Sequence, residues 1–114
     1  MPYLKLQTNT DVNPAQTGAL LKKLSKTVAQ HLGKPESYVM VALEPPAPML
    51  FAGTDAPLAY LELKSIGLPQ NKTTALSKTL CDLMHQELGI SQERVYIEFS
   101  NATGPMWGWN GETF

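Results

Sequence analysis

Two stretches of the chain repeat apolar residues every three or four positions, the spacing of one face of an α-helix. The first stretch carries Leu20, Leu21, Leu24, Val28 and Leu32, and the second carries Leu76, Leu80, Leu83, Met84 and Leu88. Gly33 and Gly89 follow directly, where a left-handed glycine commonly ends a helix. Asn13 suits an N-cap and Pro14 a first helical turn. The pattern predicts two amphipathic helices.

Four shorter stretches, residues 3–8, 39–44, 58–66 and 95–100, are apolar or alternate apolar with polar residues, which is typical of strands. One parity is suited to a core: Leu4, Leu6, Val39, Val41, Leu61, Leu63, Val95, Ile97 and Phe99. The other is aromatic and charged: Tyr3, Lys5, Met40, Ala42, Glu44, Tyr60, Glu62, Lys64, Tyr96 and Glu98. A face of that composition predicts a partly polar subunit interface, so we expect an oligomer.

The chain also repeats itself. A shift of 56 positions places Leu20, Leu24, Leu32 and Gly33 on residues of the same type in the second half, and a shift of 57 places Tyr3-Leu4-Lys5-Leu6 on Tyr60-Leu61-Glu62-Leu63. Each half reads strand, helix, strand. We therefore predict one α/β domain over 1–114, an α+β sandwich of two βαβ repeats, about 1–57 and 58–114, with a four-stranded mixed sheet and both helices on one face.

Composition and charge exclude several classes of protein. The 114 residues are 43% hydrophobic and 17% charged, which suits a folded chain. Nine Lys plus Arg against ten Asp plus Glu give a net charge of -1, so no nucleic-acid partner is expected. No apolar run is long enough to span a membrane, and the first residues do not resemble a secretory signal. We expect a cytoplasmic protein, or one secreted by a non-classical route, with no membrane partner.

Motifs for phosphate, metal or serine-esterase chemistry are absent, and the single cysteine, Cys81, excludes a disulfide framework or a CxxC site. His31 and His85 have no metal-ligating residue three or four positions after them, so no metal site is predicted.

The amino terminus is the remaining candidate for chemistry. A small residue such as Pro2 after Met1 favours removal of the initiator methionine, which leaves a free prolyl amine. Burial and a nearby cation both lower the pKa of an amine, and a neutral amine can act as a general base. Position alone favours the simpler interpretation that Pro2 is an ordinary residue at the start of an edge strand.

Five motifs in order resemble the macrophage migration inhibitory factor family of the tautomerase superfamily. They are Met1-Pro2 before an apolar strand, Gly33-Lys34-Pro35, Ser65-Ile66-Gly67, Arg94-Val95-Tyr96-Ile97 and Gly108-Trp109-Asn110. The resemblance covers essentially the whole chain. It implies a homotrimer with active sites at subunit interfaces, and keto–enol tautomerisation of phenylpyruvate-like α-keto acids without a cofactor.

The resemblance also implies roles for individual residues. Pro2 would be the catalytic base, and Lys34 would bind the substrate carboxylate or enolate oxygen. The Ile66 backbone N–H would be a further donor, with Ser65 and Tyr38 nearby. Tyr96 of the adjacent subunit would contact the polar end of the substrate. The aromatic wall would consist of Tyr3, Trp107, Trp109 and Phe114.

The predicted topology agrees with part of this assignment. In a βαβ unit the start of the first strand and the end of the helix share one sheet edge, so Pro2 and Lys34 should be neighbours. If the second unit runs antiparallel to the first, Ser65 and Ile66 reach that edge too. Tyr96, at a strand start, would then lie at the opposite edge.

Three positions depart from the family pattern. Glu98 stands at the rim of the site, where animal members carry asparagine, and its carboxylate would repel or reorient an anionic substrate. Trp107 is bulkier than the usual aliphatic residue and would narrow the mouth of the pocket. The family's CxxC is replaced by Leu58-Ala59-Tyr60-Leu61, so we expect no thiol redox activity.

Two alternatives to the tautomerase hypothesis remain open. One is a cytokine-like or host-modulating protein with a vestigial pocket, which would act through an unknown receptor. The other is a related isomerase or decarboxylase that acts on another unsaturated or keto acid.

Overall fold

The two α-helices and the four longer strands follow one another in the predicted order. The computed structural model describes residues 1–114 and has six strands and two helices: β1 (Tyr3–Thr8), α1 (Pro14–Leu32), β2 (Met40–Leu43), β3 (Ala59–Ile66), α2 (Thr73–Leu88), β4 (Val95–Ala102), β5 (Gly108–Trp109) and β6 (Glu112–Thr113). Compared with the predicted strands, β2 is shorter at both ends, β3 begins one residue later and β4 continues to Ala102.

The helix ends follow from the residues predicted to form them. The Asn13 side chain accepts a hydrogen bond from the Ala15 N–H at 2.9 Å, and Pro14 occupies the first turn of α1. Gly33 ends α1 with φ of 62°, and Gly89 ends α2 with φ of 68°. At both positions the left-handed conformation turns the chain out of the helix and toward the next strand.

The main sheet has the order β2-β1-β3-β4. β1 pairs with β2 in parallel and with β3 antiparallel, and β3 pairs with β4 in parallel. Each βαβ unit thus keeps its two strands parallel, and the two units meet head to foot along β1 and β3. This is the predicted four-stranded mixed sheet of two βαβ repeats.

Both helices pack on one face of this sheet, as the alternation predicted. The core joins one face of α1, one face of α2 and the inward side chains of the strands: Leu4, Leu6, Leu20, Leu24, Val28, Leu32, Leu61, Leu63, Leu76, Leu80 and Met84. Cys81 also lies in this core, and burial raises the pKa of its thiol. Neither helix is sufficiently long and apolar to span a membrane.

The opposite face carries charges in pairs. Lys5 on β1 lies 3.7 Å from a Glu44 carboxylate oxygen and 3.6 Å from a Glu62 carboxylate oxygen, and Lys64 lies 3.7 Å from Glu62. The Gln7 amide donates to Glu44 at 2.8 Å. Polar contacts therefore connect neighbouring strands across a face that no element of the chain covers.

Gly33, which ends α1, and Gly18, which lies inside it, give a matched test of the role of the left-handed helix end. We expect Gly33→Ala to lower the free energy of unfolding by about 1 kcal/mol, because alanine is strained at the positive φ of this position. A steric clash does not contribute, since an added Cβ would have no atom within 4 Å. Gly18 lies inside α1 with equally open surroundings, so Gly18→Ala should raise that free energy by about 0.5–1 kcal/mol. Urea unfolding at one fixed protein concentration measures both, and an unchanged stability of Gly33→Ala would contradict the assignment.

Candidate active site

A pocket of about 330 Å³ opens where the start of β1, the start of β2 and the chain end meet. Its walls are mostly apolar: Met1, Pro2, Tyr3, Ser37, Tyr38, Val39, Met40, Trp107, Gly108, Trp109 and Phe114. The sequence prediction had placed six of these residues in the site, Pro2, Tyr3, Tyr38, Trp107, Trp109 and Phe114. It had not assigned the other five to the site, although Met40 had the parity of the uncovered sheet face.

Pro2 is buried at the base of this pocket. Its carbonyl accepts a hydrogen bond from the Met40 N–H at 3.0 Å, which fixes the backbone of Pro2 to the start of β2. Burial lowers the pKa of the adjacent Met1 α-amine, and the positive charge of Lys34 lowers it further. The surroundings of the amino terminus thus favour a neutral amine.

Lys34 is held in place by backbone hydrogen bonds at the end of α1. Its N–H bonds to the Ala29 carbonyl at 3.0 Å, one residue beyond the left-handed Gly33. Its Nζ donates to the carbonyl oxygen of Ile66 at 3.0 Å. An ammonium group has three donors, so two remain for another partner. Lys34 does not line the pocket itself.

The register of the sheet explains why these groups meet. Tyr3 on β1 pairs with Met40 on β2 and with Lys64 on β3, so the end of β3 lies beside the start of β1. Ile66, Lys34 and the amino terminus thereby share one sheet edge, as predicted. Ser65 is also at this edge, but its side chain is fully buried and its hydroxyl donates to the Ile66 carbonyl at 3.3 Å.

Three aromatic rings form one side of the pocket. The ring centroids of Trp109 and Phe114 lie 5.7 Å apart in a stacked arrangement, and Tyr38 approaches both edge-on at 5.9 and 6.5 Å. The Phe114 N–H bonds to the Trp107 carbonyl at 3.2 Å. Gly104 permits this closure, because a Cβ there would lie 2.5 Å from the Phe114 carbonyl oxygen.

Tyr96 lies at the opposite edge of the sheet, as predicted. It borders a separate apolar depression of about 280 Å³ that also includes Leu50, Phe51 and Tyr60. The Tyr96 side chain is 66% exposed, and its ring centroid lies 4.6 Å from that of Phe51. Tyr96 and Pro2 of the same chain therefore do not meet in one pocket.

Glu98 also lies outside the pocket of its own chain, on the uncovered sheet face. The Tyr60 hydroxyl lies 3.0 Å from one Glu98 oxygen and 3.2 Å from Glu62, and the Ser100 hydroxyl lies 3.5 Å from the other Glu98 oxygen. Burial, the hydrogen bond to Glu98 and the charge of Glu62 raise the pKa of Tyr60 to about 12. Glu98 is thus held by two hydroxyl groups and pairs with no cation.

No group of three or more His, Cys, Asp or Glu side chains is arranged to hold a metal ion. Met1, which carries the terminal amine, lines the pocket, and Lys34 is close enough to lower the pKa of that amine. Together with the apolar walls, this arrangement can bind a small anion with an aromatic group and exchange a proton at the amine.

Comparison with known proteins supports a common ancestry over the full chain. The family model described as macrophage migration inhibitory factor matches residues 1–114. The macrophage migration inhibitory factor homolog of Brugia malayi is 40% identical over 115 residues, covering 100% of this chain and 99% of that protein. The macrophage migration inhibitory factor of Mus musculus is 38% identical over 117 residues, with the same coverage.

Solved structures agree. The macrophage migration inhibitory factor homologue of Prochlorococcus marinus superimposes with a TM-score of 0.93 at 40% identity, covering 98% of both chains. The macrophage migration inhibitory factor of Toxoplasma gondii superimposes with a TM-score of 0.92 at 33% identity, covering 98% of this chain and 99% of that one.

Lys34 provides a direct test of the electrostatics at the amino terminus. We expect Lys34→Ala to raise the pKa of the terminal α-amine, because it removes one of the two causes that lower this pKa, whereas Lys34→Arg should keep it low. Lys22→Ala, which removes a charge from an exposed position on α1, is the matched control and should leave the pKa unchanged. The rate of acylation of the amine as a function of pH gives each value. Equal pKa values in Lys34→Ala and wild type would show that Lys34 does not act on the amine.

Proposed function

Since the chain belongs to the macrophage migration inhibitory factor family, we propose that it is a cofactor-independent keto–enol tautomerase of aromatic α-keto acids such as phenylpyruvate. The family is part of the tautomerase superfamily, which supports isomerase activity in general. The observation that carries the specific proposal is the buried Pro2 at the base of an apolar pocket, with the Lys34 ammonium close enough to lower the pKa of the terminal amine.

The base in this proposal is the nitrogen of Pro2 after removal of Met1. While Met1 is present, that nitrogen belongs to an amide and has no useful basicity. Once it is a secondary amine, the causes that lower the pKa at Met1 apply to it, since Pro2 is buried and Lys34 lies on the same sheet edge. A neutral amine near physiological pH can then accept a proton.

The reaction needs one proton to move within the substrate. The Pro2 nitrogen takes the proton from the carbon next to the ketone, and the electron pair of that C–H bond passes into the new C=C bond. Negative charge then develops on the carbonyl oxygen, which is protonated to give the enol as Pro2 returns to its neutral form. The enol is an isomer of the keto acid, so no oxidant or reductant is required.

In this proposal Lys34, which lies beside the pocket and not in its wall, uses its free donors to stabilise this charge. One of its three N–H groups is used by the Ile66 carbonyl, and the other two would face the substrate carboxylate or enolate oxygen. The rings of Tyr38, Trp109 and Phe114 would hold the aromatic group of the substrate. Apolar walls strengthen the attraction between the anion and Lys34, because they exclude water.

We further propose that the protein is a homotrimer whose sites are completed across subunit interfaces. Proteins of this family are generally oligomeric. The two outermost strands of the sheet are exposed, β2 with Met40 and β4 with Tyr96. An apolar depression lies beside the start of each. Two different exposed edges favour a head-to-tail ring over a two-fold dimer, and in such a ring Tyr96 of one subunit reaches the pocket of the next.

A second candidate is a protein-binding role, which the surface around the C-terminal hairpin favours. Met106 is 79% exposed and Trp109 is 54% exposed, and large apolar side chains in such positions are common in protein interfaces. This role would not depend on the Pro2 nitrogen. The base-deficient variants described below therefore separate the two functions.

We expect tautomerase activity only after Met1 is removed. Protein confirmed by intact mass to lack Met1 should interconvert keto and enol phenylpyruvate, measured by ultraviolet absorbance, at least about 100-fold faster than protein that retains Met1. In the processed protein, Pro2→Gly should lose about 100-fold in kcat/KM, because the amine is no longer fixed by the proline ring. Pro45→Gly, the same change at an exposed position between the repeats, is the control. Full activity in Pro2→Gly would reject Pro2 as the base.

Mixed oligomers test whether the site is shared between chains. Pro2→Gly and Tyr96→Ala should each be poorly active alone, because every site lacks one contribution. After the two variants are unfolded together and refolded in equal amounts, about a quarter of the sites in a head-to-tail ring should combine an intact Pro2 with an intact Tyr96 from a neighbour. Activity should rise to roughly that fraction of wild type. No gain on mixing would mean that the site is not shared in this way.

A further inference from the structure

The segment between β2 and β3 contains a tight turn with an unfavourable backbone. The Phe51 N–H bonds to the Thr54 carbonyl at 3.0 Å and the Thr54 N–H bonds to the Phe51 carbonyl at 3.1 Å. Between them, Ala52 has φ of 52° and Gly53 has φ of 78°. A positive φ is unfavourable at a residue with a Cβ and persists only where surrounding contacts impose it.

Arg94, the only arginine in the chain, supplies those contacts. Its Nη1 donates to the Phe51 carbonyl at 3.2 Å and its Nη2 to the Thr54 and Ala56 carbonyls, both at 3.1 Å. Its Nε donates to the Pro57 carbonyl at 3.1 Å. One planar guanidinium therefore binds four carbonyls of a single segment and pairs with no carboxylate.

The same guanidinium lies over the ring of Phe51, 5.3 Å from its centroid. The Phe51 ring in turn packs against Tyr96, with the centroids 4.6 Å apart and the planes inclined by 52°. Contacts thus run from Arg94 through Phe51 to Tyr96. Arg94 also precedes β4 by one residue, so it fixes the turn relative to the strand that carries Tyr96.

Tyr96 depends on this arrangement for its orientation. Its side chain is 66% exposed on an edge strand, and its hydroxyl has no hydrogen-bond partner within the chain. An exposed tyrosine without such a partner can change rotamer freely. The Phe51 ring is the aromatic contact that restricts it, and Arg94 holds Phe51.

We propose that Arg94 is a positioning residue for Tyr96. It acts through the turn at residues 51–54 and the Phe51 ring, and it sets the orientation in which Tyr96 meets substrate bound to the adjacent subunit. This inference rests on the proposed function, which gives Tyr96 its contact with the substrate. The proposal adds Arg94, a residue of the second repeat that touches no substrate itself, to the residues on which substrate binding depends.

Steady-state kinetics with phenylpyruvate test the catalytic consequence. We expect Arg94→Gln to raise KM about 10-fold with kcat changed less than about twofold, because binding is weakened and the base is untouched. The KM of Arg94→Lys should fall between those of wild type and Arg94→Gln, since an ammonium cannot reach all four carbonyls. Lys78→Gln, which removes an exposed charge on α2, is the matched control and should match wild type.

A double-mutant cycle separates positioning from a general structural role. If Arg94 acts through Tyr96, Arg94→Gln should have no further effect on KM in a Tyr96→Ala background. If its effect on KM is the same in both backgrounds, the proposal is overturned. Phe51→Leu interrupts the same path while leaving all four Arg94 hydrogen bonds available, and it should raise KM as well.

The ring resonances of Tyr96 give a second readout that needs no activity. In NMR spectra, Arg94→Gln and Phe51→Leu should both shift these resonances, because Tyr96 loses its fixed position beside the Phe51 ring. Unchanged Tyr96 resonances in an otherwise native spectrum of Arg94→Gln would overturn the proposal. An inactive processed wild type would instead reject the proposed function, and the NMR comparison would still decide whether Arg94 orients Tyr96.

Discussion

The position of β1 between β2 and β3 is the constraint on which the site depends. β1 is hydrogen-bonded on both sides, so the start of the chain is fixed at one edge of the sheet, beside the end of β3 and the residue that follows α1. A shift of register by one residue would turn Leu4 and Leu6 out of the core, so burial of these two side chains also fixes Pro2. The register of β1 that buries the core side chains therefore also places the amino terminus.

The electrostatics of the pocket follow from that placement. Partial burial and the positive charge of Lys34 both lower the pKa of the terminal amine, while the Lys34 Nζ donates to the Ile66 carbonyl at 3.0 Å. Both effects on the amine favour its neutral form. On the uncovered sheet face, Lys5 forms ion pairs with Glu44 and Glu62, so these charges interact outside the pocket.

Much of the fold could be predicted because it depends on local patterns. Both helices were predictable from the helical spacing of apolar residues, from Asn13, and from Gly33 and Gly89. Alternation of apolar and polar residues predicted the buried face of each strand. The meeting of Lys34 with the amino terminus followed from the connectivity of a βαβ unit, and that of Ile66 from an antiparallel arrangement of the two units. The direction of the Ser65 side chain and the contacts of Glu98 with Tyr60 and Ser100 were not foreseen, since they depend on side-chain geometry between strands.

The internal repeat also relates the two depressions at opposite edges of the sheet. The same shifts of 56 and 57 positions carry Pro2 onto Ala59, Tyr3 onto Tyr60, Met40 onto Tyr96 and Trp107 back onto Phe51, so each depression is the counterpart of the other. At the counterpart of Lys34 stands Ile90, which is fully buried. One depression contains the terminal amine with Lys34 beside it, whereas its counterpart is lined by apolar and aromatic side chains. The sequence repeat thus places equivalent strand ends in chemically different surroundings at the two depressions.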